Sequence, residues 1–183
     1  MRYAQIRELD ISNGSQIGVS LFAQGCDIIP HCKGCFNPDT WDFNNGKEWT
    51  NEVEEHFLNL INRPYIKRIS ILGGEPLADD NVKDIYNLVL RIKNKFPEKN
   101  IWIYSGRTWE QIMHPIITND FDLQKHGRIE LRNKIVSLCD VLVEGPYIEK
   151  LKDQHLNYRG SSNQRVIDVQ ETFKQGRIVL YCD

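Results

Sequence analysis

The chain has 183 residues, and this length suits one domain with a hydrophobic core. Apolar residues make up 40% and charged residues 26% of the sequence, which excludes an intrinsically disordered chain. The 23 Lys and Arg residues nearly balance 25 Asp and Glu residues, so no basic excess indicates a nucleic-acid or membrane-surface protein. The apolar runs are too short to span a membrane, and charge appears too early for a secretory signal, so we expect a cytoplasmic protein.

Short apolar runs alternate with amphipathic segments along the chain. The first half predicts a strand over residues 17–24, a helix over 51–64, a strand over 68–72 and a helix over 80–97. The second half predicts a strand over 101–104, a short helix over 108–115, an irregular stretch over 118–126, a helix over 129–139, and strands over 141–143, 164–169 and 177–181. The predicted helix caps are Asn51 with Glu54, Asp80, and Thr108 with Gln111.

This alternation of strands and helices predicts an α/β fold with a mostly parallel sheet and crossover helices, because parallel neighbours need long connections. Gly-rich turns end several of the strands. Such turns lie at the carboxyl edge of the sheet, where α/β proteins place their sites. We therefore expect the loop after the strand over 17–24 and the turn after the strand over 68–72 to face one shared space.

Five cysteines are too few for a disulfide framework, but three of them fall within ten residues. Cys26, Cys32 and Cys35 are candidate ligands for a soft metal, either zinc or an iron–sulfur cluster. His31 would complete a four-ligand zinc site, although adjacent residues rarely reach one tetrahedral centre. Three cysteines on a four-iron cluster would instead leave one iron open to a substrate. Two further cysteines stand alone and are interpreted as small buried apolar residues: Cys139 and Cys182.

The turn Gly73-Gly74-Glu75-Pro76 follows the apolar strand over 68–72. Glycines let backbone carbonyls approach a ligand closely, and proline stiffens the turn. A carboxylate beside free carbonyls suits a ligand that carries an ammonium group. The ordinary alternative is a tight turn that binds nothing.

These motifs resemble the radical S-adenosylmethionine enzymes and, more closely, the family of proteins that activate anaerobic ribonucleotide reductases. The resemblance rests on residues 25–26, 32–37, 40–41, 72–77, 102–106, 140–147 and 159–165. The cysteine and Gly-Gly-Glu motifs indicate only the superfamily, whereas residues 140–147 and 159–165 are specific to the reductase activases. Five residues separate Cys26 from Cys32 in this chain, where the family usually has three.

The resemblance implies a partial, incomplete TIM-like barrel of the radical S-adenosylmethionine type over residues 1–183. It also implies a 4Fe-4S cluster on the three clustered cysteines, with S-adenosyl-L-methionine as the second cofactor. Reductive cleavage of S-adenosylmethionine would generate a glycyl radical on the large subunit of an anaerobic ribonucleoside-triphosphate reductase. A flavodoxin-like protein is the expected electron donor, and neither nucleic acid nor membrane is an expected partner.

The resemblance also assigns roles to individual residues. Gly73, Gly74 and Glu75 would hold the methionine amino group, and Gly34 and Phe36 would lie against the cofactor. Ser105 and Glu144 would contact its ribose or methionine part, or are ordinary polar groups of turns. Arg159 and Arg165 would clamp the cofactor carboxylate or dock the reductase, or belong to a solvated loop. No side chain is expected to act as an acid or base catalyst.

Three alternatives stay open at this point. An activase of another glycyl-radical enzyme, such as pyruvate formate-lyase, would keep the chemistry and change the partner. A small-molecule radical enzyme similar to the carboxydeazaguanine synthases would lack residues 159–165. A zinc-stabilised binding module would be colourless and would have a basic face, which the net charge of −2 does not support.

Overall fold

Eight strands and five α-helices form the regular structure of the residues that this computed structural model describes, 1–114 and 126–182. The strands are β1 (Arg2–Asp10), β2 (Gly18–Ala23), β3 (Lys47–Glu48), β4 (Arg68–Gly73), β5 (Asn100–Ser105), β6 (Val141–Glu144), β7 (Arg165–Asp168) and β8 (Leu180–Cys182). The helices are α1 (Asn51–Ile61), α2 (Val82–Lys95), α3 (Trp109–Met113), α4 (His126–Leu138) and α5 (Val169–Gln175).

All eight strands belong to one sheet in the order β3-β1-β2-β4-β5-β6-β7-β8. The three neighbour pairs among β2, β4, β5 and β6 are parallel, and the four outer pairs are antiparallel. The predicted mostly parallel sheet is therefore wrong, because the sheet is mixed. Crossover helices connect only the central strands, while β1 and β7 return beside their neighbours without one. This strand order does not confirm an incomplete TIM-like barrel.

The predicted elements of the central sheet are confirmed with small shifts at their ends. No element was predicted over β1, whose residues alternate only weakly between buried and exposed. The strand predicted over 164–169 ends earlier, since Asp168 caps α5 through a hydrogen bond from the Glu171 N–H. The strand predicted over 177–181 lies later, as β8. Of the stretch predicted as irregular, 118–125 lies outside the described residues, and residue 126 begins α4.

The helix caps differ from two of the three predictions. Thr50 rather than Asn51 caps α1, and its hydroxyl accepts a hydrogen bond from the Val53 N–H. Asn81 rather than Asp80 precedes α2, and its side chain makes no capping bond to the helix. The capping box of Thr108 and Gln111 is confirmed at the start of α3.

The main hydrophobic core lies between the sheet and its helices. Strand β2 is buried along its whole length, and the apolar faces of α1 and α2 pack on the same core. Cys139 is fully buried in this core, as predicted, whereas Cys182 is half-buried beside a second apolar cluster around Trp102. Among the described helices, none combines the length and apolar character needed to cross a membrane.

A buried ion pair closes the amino end of the central strands. The fully buried Arg68 at the start of β4 donates from Nη2 to Oδ1 of Asp10 at 3.1 Å. It also donates to the backbone carbonyls of Asn13 and Ser15 at 2.5 and 3.1 Å. These bonds hold the loop between β1 and β2 across the end of the sheet that is opposite to the predicted site.

Candidate iron–sulfur site

The carboxyl ends of the four parallel strands surround one cavity, which we call the cysteine cavity. Turns after β2, β4, β5 and β6 form its wall, so the predicted meeting of the cysteine loop with the Gly-Gly-Glu turn is confirmed. Eight of the predicted site residues line it: Cys26, Cys32, Cys35, Phe36, Gly73, Gly74, Glu75 and Ser105. Four predicted site residues do not line it: Gly34, Glu144, Arg159 and Arg165.

The cysteine loop, residues 26–35, is anchored where it leaves the sheet. The N–H of Gly25 donates to the Thr40 carbonyl at 2.8 Å, and the N–H of Cys26 donates to the Trp41 carbonyl at 3.0 Å. At the other end, the Cys35 N–H donates to the Cys32 carbonyl at 3.2 Å and closes a tight turn. The turn contains Gly34, whose φ of +73° is a conformation that favours glycine.

The three thiols of the loop are half-buried around the cavity. Burial raises the pKa of Cys26 to about 11, and the charges of Glu75 and Asp27 act in the same direction. Burial also raises the pKa of Cys32. The raised pKa values favour the protonated thiols of Cys26 and Cys32 at neutral pH, and metal binding would release those protons.

His31 does not approach the cysteines in the manner of a fourth zinc ligand. Its ring stacks on the Trp41 ring, with centroids 4.3 Å apart and an angle of 13° between the planes. Within the described residues, no three His, Cys, Asp or Glu side chains converge as the ligands of a single metal ion. A four-iron cluster differs in this respect, since each cysteine binds a different iron and the thiols surround a volume.

Glu75 is fully buried, and its carboxylate is held by donors from two turns. Oε1 accepts from the Leu77 N–H and from Ser105 Oγ, both at 2.9 Å, and Oε2 accepts from the Gly106 N–H at 2.9 Å. The Arg107 guanidinium lies 3.6 Å from Oε2. Burial raises the pKa of Glu75, and Arg107 together with these hydrogen bonds opposes that rise. The carboxylate thus fastens the turns after β4 and β5 together at the wall of the cavity.

The two glycines of the turn are needed by the backbone around them. Gly73 has a φ of +113°. A Cβ on Gly74 would overlap the carbonyl oxygen of Gly25 and would lie 2.8 Å from that of Thr40. Because these neighbours are backbone atoms that cannot move aside cheaply, Gly74 permits close packing of the turn on the cysteine loop. This close backbone contact by itself explains why position 74 is a glycine, whether or not a ligand also approaches it.

Glu144 and Arg165 form a pair at the side of the cavity. The buried Glu144 accepts from the Trp109 N–H at 3.0 Å and from Nε of Arg165. Nη2 of Arg165 also lies 3.1 Å from both carboxylate oxygens of Glu110. This pair joins β6, β7 and α3. The ligand roles of Glu144 and Arg165 stay predictions.

Residues 159–165 lie beside the cysteine loop although they are far from it in sequence. Phe36 packs against Gly160, and a Cβ on Gly160 would lie 2.7 Å from the Phe36 ring. Phe36 also packs against Tyr147, and the centroids of the two rings are 4.9 Å apart. Gln164 orders the segment, since its Oε1 accepts from the Gly160 N–H at 2.9 Å and its Nε2 donates to the Gly145 carbonyl at 3.0 Å. Residues 159–165 thereby reach the mouth of the cysteine cavity.

Sequence similarity agrees with this arrangement. A family model described as a 4Fe-4S single cluster domain matches residues 12–167. The anaerobic ribonucleoside-triphosphate reductase-activating protein of Escherichia coli (strain K12) is 38% identical over 168 residues, which are 91% of this chain and 97% of that protein. The proteins of the same name from Enterobacteria phage T4 and Vibrio cholerae are 32% and 31% identical and span 93% and 96% of their own lengths. The chain belongs to the anaerobic ribonucleoside-triphosphate reductase-activating protein family.

The donor set of this activating-protein family member fits the cluster that the family model describes. Three thiols line one cavity, and neither Cys139 nor Cys182 lines it. Thiolates are the usual protein ligands of iron–sulfur clusters. The residues that would hold the cluster are thus Cys26, Cys32 and Cys35.

The sequence analysis did not select several residues that line or adjoin the cysteine cavity. Three of them line the cysteine cavity: Tyr104, Tyr147 and Gln164. The hydroxyl of Tyr104 is buried, and it has no hydrogen-bond partner in the described part of the chain. Tyr104 precedes Ser105 at the carboxyl end of β5, so its position in the strand was the available signal. Arg107 was missed too, although it follows the Ser105-Gly106 turn. Its partners lie in distant parts of the sequence, which no local pattern indicates.

A second cavity continues from the cysteine cavity toward Arg159. The two cavities share Phe36, Tyr104 and Tyr147 among their walls. Arg159 donates from Nη1 to the Cys182 carbonyl at 3.4 Å, whereas its buried Nε has no hydrogen-bond partner among the described residues. Arg159 is therefore less engaged within the protein than Arg165.

Proposed function

We propose that this protein activates an anaerobic, class III ribonucleotide reductase. The observation that carries the proposal is one cavity lined by three cysteines and the Gly-Gly-Glu turn, in a chain of the activating-protein family. When bound, a 4Fe-4S cluster and S-adenosylmethionine would supply reductive cleavage of the sulfonium compound and transfer of a hydrogen atom from a glycine of the reductase. The protein is accordingly proposed to be a radical S-adenosylmethionine oxidoreductase.

In this proposal the chain's own residues bind and orient the reacting groups. Cys26, Cys32 and Cys35 hold three irons and leave the fourth open. The backbone carbonyls of Gly73 and Gly74 receive the ammonium group of the methionine part. Glu75 keeps their turn in place, because its carboxylate is already bonded to Leu77, Ser105 and Gly106.

Aromatic side chains at the mouth of the cavity would control access to it. Phe36 is 61% exposed, and it packs on Tyr147 and Gly160. An exposed aromatic residue beside a reactive site suits contact with a partner protein. We propose that the reductase presents its glycine across this mouth, where Arg159 lies nearby. A flavodoxin-like donor and a cytoplasmic location are part of the same proposal.

The test is radical formation on the partner. Anaerobically reconstituted protein should be brown and carry about four irons and four sulfides per chain. Mixed with the reductase, S-adenosylmethionine and dithionite, it should produce a glycyl-radical EPR signal on the reductase. Cys26→Ala, Cys32→Ala and Cys35→Ala should each abolish the functional cluster and the signal, while the matched control Cys182→Ala should retain both.

Two results would contradict the proposal. Stoichiometric zinc without iron-dependent absorbance would exclude cluster chemistry at these cysteines. A glycyl radical that appears on pyruvate formate-lyase but never on the reductase would assign the protein to a different partner.

A further inference from the structure

Arg107 lies between two carboxylates, Asp27 and Glu75, of which Glu75 lines the cysteine cavity. Its Nη2 donates to both oxygens of Asp27 at 2.8 Å, and its Nη1 lies 3.6 Å from Oε2 of Glu75. The Arg107 side chain is only 17% exposed, and the Glu75 side chain is fully buried. Charges in such a place are weakly screened by solvent, so the guanidinium interacts strongly with both carboxylates.

Asp27 connects this cation to the cysteine loop. It directly follows Cys26 and is the first of the five residues that separate Cys26 from Cys32. Besides its contact with Arg107, Asp27 accepts a hydrogen bond from the Asp79 N–H at 3.2 Å. The beginning of the loop is therefore fixed to the turns after both β4 and β5. Because Cys26 adjoins Asp27 in the chain, these contacts restrict where its thiol lies.

The residues that line the cysteine cavity include a carboxylate that Arg107 contacts. Among the described residues that line the cysteine cavity, Glu75 is the acidic one, and none is Lys, Arg or His. A cluster that accepts one electron from an external donor becomes more negative, so a nearby carboxylate opposes reduction and a nearby guanidinium favours it. Arg107 contacts both Glu75 and the carboxylate next to Cys26.

We propose that Arg107 is a positioning residue that fixes the Cys26 end of the cysteine loop and sets the reduction potential of the cluster by offsetting the charges of Asp27 and Glu75. The inference rests on the proposed function, since it requires that the three cysteines hold a cluster. It predicts effects of opposite sign for the two members of the Arg107–Asp27 pair. A merely structural pair would instead lose cluster stability whichever member is changed.

The experiment is an EPR-monitored redox titration of the reconstituted full-length protein with dithionite, together with iron and sulfide analysis. Arg107→Gln removes the cation, and its midpoint potential should be more negative than that of the unmodified protein. Asp27→Asn keeps an oxygen that can accept from Arg107 and removes the negative charge, so its potential should be more positive. The double variant should lie between the two single variants.

Arg128→Gln is the matched control from the charged cleft next to Arg107. Arg128 is 49% exposed and contacts Asp79 at 3.3 Å, so its charge is screened by solvent and its removal should leave the potential unchanged. Equal potentials in all variants, or shifts of the same sign for Arg107→Gln and Asp27→Asn, would overturn the inference.

Two further outcomes are also decisive. If Arg107→Gln holds no cluster, a positive shift in Asp27→Asn still supports the electrostatic role, and no shift in that variant overturns it. If the unmodified protein itself binds no iron–sulfur cluster, the proposed function fails and the inference fails with it. Iron analysis of the unmodified protein therefore separates failure of the proposed function from failure of the inference alone.

Discussion

Ser105 Oγ donates a 2.9 Å hydrogen bond to Oε1 of Glu75, and this bond joins the turns that follow two neighbouring parallel strands. Both residues were expected to contact a ligand. Their contacts show that each also has a structural role, since Ser105 further accepts from the Arg107 N–H at 3.0 Å. The shape of the cavity wall thus depends on hydrogen bonds among the residues that line it.

Replacement of Glu75 should therefore destabilise the protein before any ligand is added. Every partner of its carboxylate is a donor, so in Glu75→Gln the amide nitrogen would face another donor. We expect the cluster-free variant to lose about 1–3 kcal/mol in free energy of unfolding, measured by urea denaturation. Unchanged stability with weaker binding of S-adenosylmethionine would instead indicate a role confined to the ligand.

Gly74→Ala should also lower the stability of the folded protein. The new Cβ would overlap the backbone carbonyls of Gly25 and Thr40, which should cost about 1–3 kcal/mol in free energy of unfolding. Gly127→Ala is the matched control, because Gly127 is exposed in α4 with no atom within 4 Å of a Cβ there, and alanine should raise stability by up to about 1 kcal/mol. Equal unfolding midpoints for Gly74→Ala and the unmodified protein would contradict this packing role.

Asp10 should make the stability of the protein sensitive to acid. Burial alone would raise the pKa of Asp10, but hydrogen bonds from Asn13 and Arg68 outweigh it and lower the pKa from 3.8 to about 2. Because the folded-state pKa is depressed, the contribution is present above pH 3.8 and is lost as the pH falls toward 2. This contribution of Asp10 to the free energy of unfolding amounts to about 2 kcal/mol. Urea unfolding of the cluster-free protein at several pH values should show this loss, and Asp10→Asn should lack it; parallel curves would contradict the assignment.

The two arginines of residues 159–165 should behave differently. Arg165→Ala leaves the buried Glu144 without its cation and should lower the free energy of unfolding by about 1–3 kcal/mol. Arg159→Ala loses one long hydrogen bond to the described residues, so it should retain stability and iron content but form less glycyl radical on the reductase. Urea denaturation, iron analysis and EPR of the mixed proteins measure these effects. A stable Arg165→Ala or a fully active Arg159→Ala would refute that division of roles.

Local sequence patterns were sufficient to predict most strands of the central sheet and to select the three clustered cysteines as candidate ligands. The apolar run predicted over 68–72 is β4, and the capping box of Thr108 and Gln111 begins α3. These features depend on neighbouring residues, so they can be predicted from short windows of sequence. The antiparallel pairing of β1 with β2 and of β7 with β6 could not be predicted in this way, because it depends on contacts between strands rather than on the pattern within one window.

The sequence by itself determined which residues are candidates for the chemistry, because thiols at close spacing and a Gly-Gly-Glu turn after a buried strand are local properties. Only the tertiary structure decided how those residues are supported. Asp27 meets Arg107 across 80 positions, and Phe36 meets Gly160 across the mouth of the cavity. Such contacts form because parallel strands bring their carboxyl ends to one edge of the sheet, where side chains from separate turns share a small volume and must satisfy one another's charges and hydrogen bonds.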